Sequence, residues 1–133
     1  MLTSASRLLR ILIVDDEALI RWSLLETLSG CGHVVVEAGD AAGVLQAVAA
    51  AAVPFDVVLL DFRLPDSNDL TLLTMLRRLT PQTPVIMMTA YGSADVLRGA
   101  IELGAFRVVG KPFEMNELTA LIQEAHAMRP VNG

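Results

Sequence analysis

Runs of four purely apolar residues recur along the chain, Ile11-Leu12-Ile13-Val14, Val57-Val58-Leu59-Leu60 and Val85-Ile86-Met87-Met88, and each is closed by a polar residue. A strand with one wet face alternates apolar and polar side chains. An unbroken run has to be covered on both faces, as a strand inside a parallel sheet is. Two weaker runs, around Val34-Val35-Val36 and Phe106-Arg107-Val108-Val109, bring the number to five, and stretches of helical period lie between them. Alternating strand and helix predicts an α/β fold with helices on both sides of the sheet. Strands are expected near 10–15, 33–37, 55–60, 84–89 and 106–110, and helices near 17–29, 41–52, 69–79, 93–103 and 114–128.

At 133 residues the chain suits one domain with a single core. That domain is expected over 9–128, with 1–8 an N-terminal tail and 129–133 a C-terminal tail or the start of a linker. A hydrophobic fraction of 53% is high, but a sheet buried on both faces requires it. No apolar run approaches the roughly 18 residues of a membrane helix. Arg7 and Arg10 stand before apolar residues as in a signal peptide, yet that stretch is short and ends on Asp15-Asp16. No membrane association is expected. Gly30 and Gly32 should stop the first helix, and the alanine-rich Ala47–Ala52 should be packed helix rather than low complexity.

The net charge of −5 argues against direct nucleic-acid binding through a basic face. The single Cys31 cannot form an internal disulfide and fits a reducing, cytoplasmic setting. His33 and His126 have no Cys or His at metal spacing and are assigned to no site.

The chemistry sits where the strands stop. Asp15 and Asp16 follow the first run, and Asp61 follows the third. If those strands are parallel neighbours, three carboxylates meet at the carboxyl edge of the sheet, where open α/β sheets bind ligands. Packed acids repel unless a cation joins them. Mg²⁺ suits an all-oxygen set that phosphate oxygens can complete. The fourth strand ends on the hydroxyl of Thr89, and the amine of Lys111 comes just past the fifth. A carboxylate at a strand end beside a cation site can attack phosphorus directly, so Asp61 is the expected phosphoryl acceptor.

Asp15-Asp16-Glu17, Leu60-Asp61-Phe62-Arg63-Leu64-Pro65, Met88-Thr89-Ala90 and Lys111-Pro112-Phe113, in this order and spacing, resemble the receiver domain of two-component response regulators. The resemblance runs from about Ile11 to Met128. Ile20-Arg21-Trp22, Thr89-Ala90-Tyr91-Gly92-Ser93 and Gly104-Ala105-Phe106 look most like receivers of NtrC-type transcription activators. It implies a flavodoxin-like (βα)5 doubly wound parallel sheet of strand order 2-1-3-4-5, which periodicity alone would not give. It also implies Mg²⁺ held directly by Asp16, Asp61 and the Arg63 backbone carbonyl, with Asp15 acting mainly through water. The Thr89 hydroxyl would meet a phosphoryl oxygen, Ala90 would leave room for the phosphate, and a cis Lys111-Pro112 bond would aim the amine inward.

The implied function is a signalling switch in a phosphorelay rather than a turnover enzyme. A sensor histidine kinase or phosphotransfer protein would phosphorylate Asp61, with only slow Mg²⁺-dependent self-phosphorylation and dephosphorylation by the domain itself. The first helix would dock the kinase, with Trp22 an exposed contact. The fourth helix, fifth strand and fifth helix would offer a homodimer face, and the output would be transcription regulation. Two departures stand out. Val108 replaces the usual aromatic three residues before the lysine, and Asp69 stands where the family often has Gly, a turn that Asp tolerates better than most residues if its backbone is left-handed.

Competing readings fit the residues less well. An Asp-nucleophile phosphatase would carry D-x-D on one strand, a flavin carrier would have a Gly/Ser/Thr cradle after Val14, and a receiver-like module without phosphorylation need not keep all five pocket residues.

Overall fold

The computed structural model describes residues 8–90 and 93–129. Expectations for Tyr91, Gly92 and most of both tails lie outside the described residues. The chain runs β1 (Arg10–Val14), α1 (Ala18–Gly30), β2 (Val34–Ala38), α2 (Ala41–Ala50), β3 (Val57–Asp61), α3 (Thr71–Leu79), β4 (Val85–Thr89), α4 (Ala94–Glu102), β5 (Arg107–Gly110) and α5 (Met115–Ala127). All neighbouring strands are parallel, in the order β2-β1-β3-β4-β5.

The period of two along each strand divides the core into two layers. Leu12, Val14, Val58, Leu60, Val85 and Met87 pack with Val44, Leu72, Leu73, Leu76 and Ala100 from α2, α3 and α4. Ile11, Ile13, Val57, Leu59, Ile86 and Met88 pack with Leu24, Leu28, Leu118, Ile122 and Ala125 from α1 and α5. The unbroken apolar runs are therefore explained: odd and even positions both face helices. Trp22 lies on the outer face of α1 and is 57% exposed. Among the described residues no helix is long and apolar enough to cross a membrane.

Four boundaries that depart from the sequence-based expectation each have a physical reason. Gly30 is the last residue of α1, and the reversal falls on Gly32, whose φ of +93° is open to glycine without strain. α2 stops at Ala50 despite the alanines beyond it. Phe55 has to reach the core, and Asp56 is tied to Arg10 by a backbone bond of 2.7 Å and a carboxylate bond of 2.8 Å, so residues 51–54 must leave the helix. The same ties delay β3 to Val57. α3 begins at Thr71 because the Asp69 carboxylate accepts the Thr71 N–H at 2.9 Å from outside the helix.

α4 is weakly anchored, as is α2, where Val44 is likewise the one fully buried residue. Only Ala100 is fully buried in it, against Leu118, Ile122, Ala125 and His126 in α5, and it carries Gly99 in its interior. An interior glycine costs about 1 kcal/mol relative to alanine. Amide hydrogens of α4 should therefore exchange at least about fivefold faster than those of α5. Equal protection in the two helices, measured by exchange mass spectrometry, would remove α4 as a low-stability element. Gly99→Ala is not a simple remedy, since its Cβ would lie 3.0 Å from Leu70 Cδ1.

Candidate functional site

Backbone bonds just beyond the strands build the site. Asp15 N–H donates to the Ala38 carbonyl at 3.1 Å, Phe62 N–H to Met88 at 2.9 Å, and Lys111 N–H to Thr89 at 2.9 Å. Each continues its ladder one step past the last strand residue. Asp15, Asp61 and Lys111 consequently keep the parity of Ile13, Leu59 and Val109, and their side chains converge on the α1/α5 side of the sheet edge. Thr89 has the parity of Met87 and is buried from the other side. The Lys111-Pro112 bond is cis, in agreement with the resemblance.

Lys111 is the hub. Its Nζ lies 2.7 Å from Asp15 Oδ2, 3.3 Å from Asp61 Oδ2 and 3.3 Å from Glu17 Oε1. Burial disfavours the charged amine, but the Asp15 hydrogen bond and the charges of Asp61 and Asp15 outweigh it, and the Lys111 pKa is raised. Asp61 is pushed the other way from a normal carboxylate. Burial and the neighbouring Asp15 charge raise its pKa to about 6, against the opposing pull of Lys111 and the Arg63 N–H.

The expected acid cluster forms. Asp15, Asp16 and Asp61 each bring a carboxylate oxygen within 4.8 Å of the others. Their roles differ. Asp15 is wholly buried beneath the cleft, with Oδ1 accepting from Glu17 N–H at 2.9 Å and Oδ2 from Lys111. Asp16 is exposed, and among the described residues nothing donates to its carboxylate. Asp16, Glu17, Asp61, Arg63, Thr89, Ala90 and Lys111 line an open cleft of about 250 Å³. An all-oxygen donor set, with more acid than Lys111 can neutralise and one carboxylate already pushed toward its protonated form, fits a hard divalent cation.

Two residues to which no role was assigned from the sequence join this assembly. Glu17 is the third partner of Lys111, and Arg21 donates to the Asp15 carbonyl. Neither is distinguishable in sequence from a solvated residue of an N-terminal helical turn. The acids of the β3–α3 loop turn out to be structural. Leu64 and Ser67 exchange both backbone bonds around Pro65-Asp66, and the Asp66 carboxylate accepts the Ala41 and Ala42 N–H groups at 2.7 and 3.1 Å. The Asp69 carboxylate accepts the Thr71 N–H at the start of α3, and no non-glycine residue described has a positive φ, so the loop needs no left-handed residue at 69. Bonds to these backbone N–H groups hold both the Asp66 and Asp69 pKa values below the ordinary range. Val108 lies half-buried opposite Met87, packed against the α2/α3/α4 layer. His33 Nδ1 accepts the Leu9 N–H at 2.9 Å, and His126 lies 3.8 Å from Asp56, both at the opposite end of the sheet from the cleft.

Known proteins resemble this chain in sequence and fold. The family model of the response regulator receiver domain matches residues 11–123. The DNA-binding transcriptional regulator NtrC of Escherichia coli K12 is 38% identical over 85% of this chain and 24% of its own length. The response regulator protein PilR of Pseudomonas aeruginosa is 41% identical over 89% of this chain and 26% of its own. Among solved structures, a CheY-like receiver domain protein from Methanospirillum hungatei superimposes with a TM-score of 0.85 at 31% identity, covering 91% of this chain and 95% of that one. NtrX from Brucella abortus gives 0.81 at 32% identity, covering 91% of this chain and 26% of NtrX. The chain spans about a quarter of the length of the curated relatives it matches. With the five-stranded order, the acid cluster and the lysine all in place, the chain belongs to the response regulator receiver domain family.

Proposed function

We propose that Asp61 is the phosphoryl acceptor of a signalling switch. The observation that carries this is the position of its carboxylate, at the floor of the cleft, 3.3 Å from the Lys111 ammonium and within 4.8 Å of carboxylate oxygens of Asp15 and Asp16. The donor is the phosphohistidine of a sensor kinase or phosphotransfer protein. An Asp61 oxygen forms the new O–P bond while the P–N bond breaks, and its electron pair stays on the imidazole nitrogen, which takes up a proton. In-line transfer asks chiefly for positioning and neutralisation of charge. Lys111 neutralises phosphoryl oxygens, Thr89 donates its hydroxyl to one, and Ala90 leaves room for them.

Mg²⁺ would be held by Asp16, Asp61 and the Arg63 carbonyl, with Asp15 assisting through water. When bound it supplies further neutralisation of the phosphoryl oxygens. Slow hydrolysis of the acyl phosphate resets the switch. The kinase meets α1, where Leu19 and Trp22 are 74% and 57% exposed. Leu97 and Ile101 leave apolar surface on α4, in support of a homodimer face with β5 and α5. The likeness to NtrC and PilR supports an output in transcription regulation in the cytoplasm, through regions other than this acidic domain.

Intact-mass analysis tests the central point. With a small acyl phosphate and Mg²⁺, the wild type should gain one phosphoryl mass, and Asp61→Asn, or wild type in EDTA, should gain none. Labelling of Asp61→Asn to the same extent would overturn the assignment.

A further inference from the structure

We infer that Arg21 is a positioning residue for the cation site, acting through the Asp15–Asp16 peptide; this rests on the reading of Asp16 as a cation ligand. The Asp15 N–H is taken by Ala38 of β2, but its carbonyl has left the ladder. Arg21 takes it instead, Nη1 donating to that oxygen at 2.5 Å. The guanidinium is itself held, since Nε donates to Glu37 Oε1 at 3.2 Å in an ion pair whose side chains are 25% and 37% exposed. β2, α1 and the end of β1 are thereby joined by one side chain.

The consequence falls on Asp16. A peptide unit is planar, so a fixed Asp15 carbonyl fixes the Asp16 nitrogen and Cα as well. Because no described donor holds the Asp16 carboxylate, its reach is set by that backbone and its own two side-chain torsions. Mg²⁺ tolerates little error, demanding near-octahedral oxygens at about 2.0–2.1 Å. Gly39 keeps the space clear: a Cβ there would come within 3.3 Å of Arg21 Nη1.

Charge and geometry pull in opposite directions, and this makes the inference testable. As a cation near the acids, Arg21 should weaken Mg²⁺ binding, so its neutralisation would tighten binding if charge were all that mattered. As a clamp it should strengthen binding, and groups that orient metal ligands are typically worth about 10–100-fold in affinity. Arg21→Lys keeps the charge but cannot donate to both Asp15 and Glu37 through a planar fork, whereas Arg21→Gln removes the charge.

The experiment is calorimetric titration with MgCl2, together with phosphorylation rates across a Mg²⁺ series. Both Arg21 variants should bind Mg²⁺ more weakly, about tenfold for Arg21→Lys and less for Arg21→Gln, which also sheds the repelling charge, and the half-saturating Mg²⁺ of each should rise by the same factor as its binding weakens. Their rates at saturating Mg²⁺ should stay within about twofold of wild type, a split that general loss of structure would not give. Glu37→Gln and Gly39→Ala should shift binding the same way by less, and they carry the test if the Arg21 variants fail to fold.

Unchanged or tighter binding in the variants overturns the inference. So does a fall in the saturated rate with half-saturation unmoved. Asp16→Ala separates this from the parent reading: if it loses Mg²⁺ while the Arg21 variants match wild type, only the role of Arg21 fails. If the wild type itself binds no Mg²⁺, both fail.

Discussion

Lys111→Met is expected to lower the stability of the metal-free protein at pH 7 by about 3 kcal/mol, the lower end of what stripping the partner from a buried charge costs. Asp15 is fully buried and Asp61 6% exposed, and Lys111 is the ammonium against both. The loss is limited because a carboxylate can take up a proton instead. Asp61 already titrates near 6, and without the lysine its pKa rises further, so protonation at pH 7 comes at small cost. The defect should therefore shrink as pH falls through 6. Urea unfolding in EDTA at pH 7.5 and pH 5 would show it, and a loss of equal size at both pH values would mean that lost packing by the lysine stem, not exposed charge, is responsible.

Asp61→Asn should act in the opposite direction, stabilising the metal-free protein at pH 7 by about 3 kcal/mol. Burial and the Asp15 charge raise the Asp61 pKa from 3.8 to about 6, and each unit is worth about 1.4 kcal/mol. A carboxyl whose folded pKa is raised contributes most below its unfolded pKa, and that contribution is lost as pH rises through the folded pKa. Asn imitates the protonated form at every pH. The advantage of the variant should therefore be absent near pH 4, grow between 4 and 6, and level off above. Lys111 keeps Asp15 and Glu17 in the variant, so it is not stranded. Adding Mg²⁺ should stabilise only the wild type and narrow or reverse the order. A variant less stable than wild type in EDTA at pH 7 would show that the Lys111 pair outweighs the cost of burying Asp61. The residue proposed as phosphoryl acceptor is thus one that the metal-free fold is expected to be more stable without.

The convergence of Asp15, Asp61 and Lys111 is legible to the extent that each follows an apolar run, since parallel neighbouring strands bring their carboxyl ends together. Strand order was not legible from periodicity and came from the family resemblance. Alanine propensity is a local signal and runs past the end of α2, whereas the bonds of Asp56 to Arg10, 46 positions away, decide where the helix must stop. Distance in sequence also hid the roles of Asp66 and Arg21. An aspartate in a polar loop and an arginine in a first helical turn look solvated until their partners, 25 and 6 positions away, are in view.

The grip of Asp66 on the first N–H groups of α2 splits the connection between β3 and α3 into two parts with different tolerance for length. From Asp61 to Asp66 the chain is a fixed gauge. It must turn at Leu64 and Ser67 and arrive with the carboxylate opposite Ala41 and Ala42, so one residue more or less would unhook α2 and shift Arg63, which lines the cleft. After Ser67 the chain only has to bring Asp69 to the start of α3. Insertions belonging to this loop can therefore be accommodated around Asn68, where they lengthen the surface beside α2 and leave the spacing of the cleft untouched.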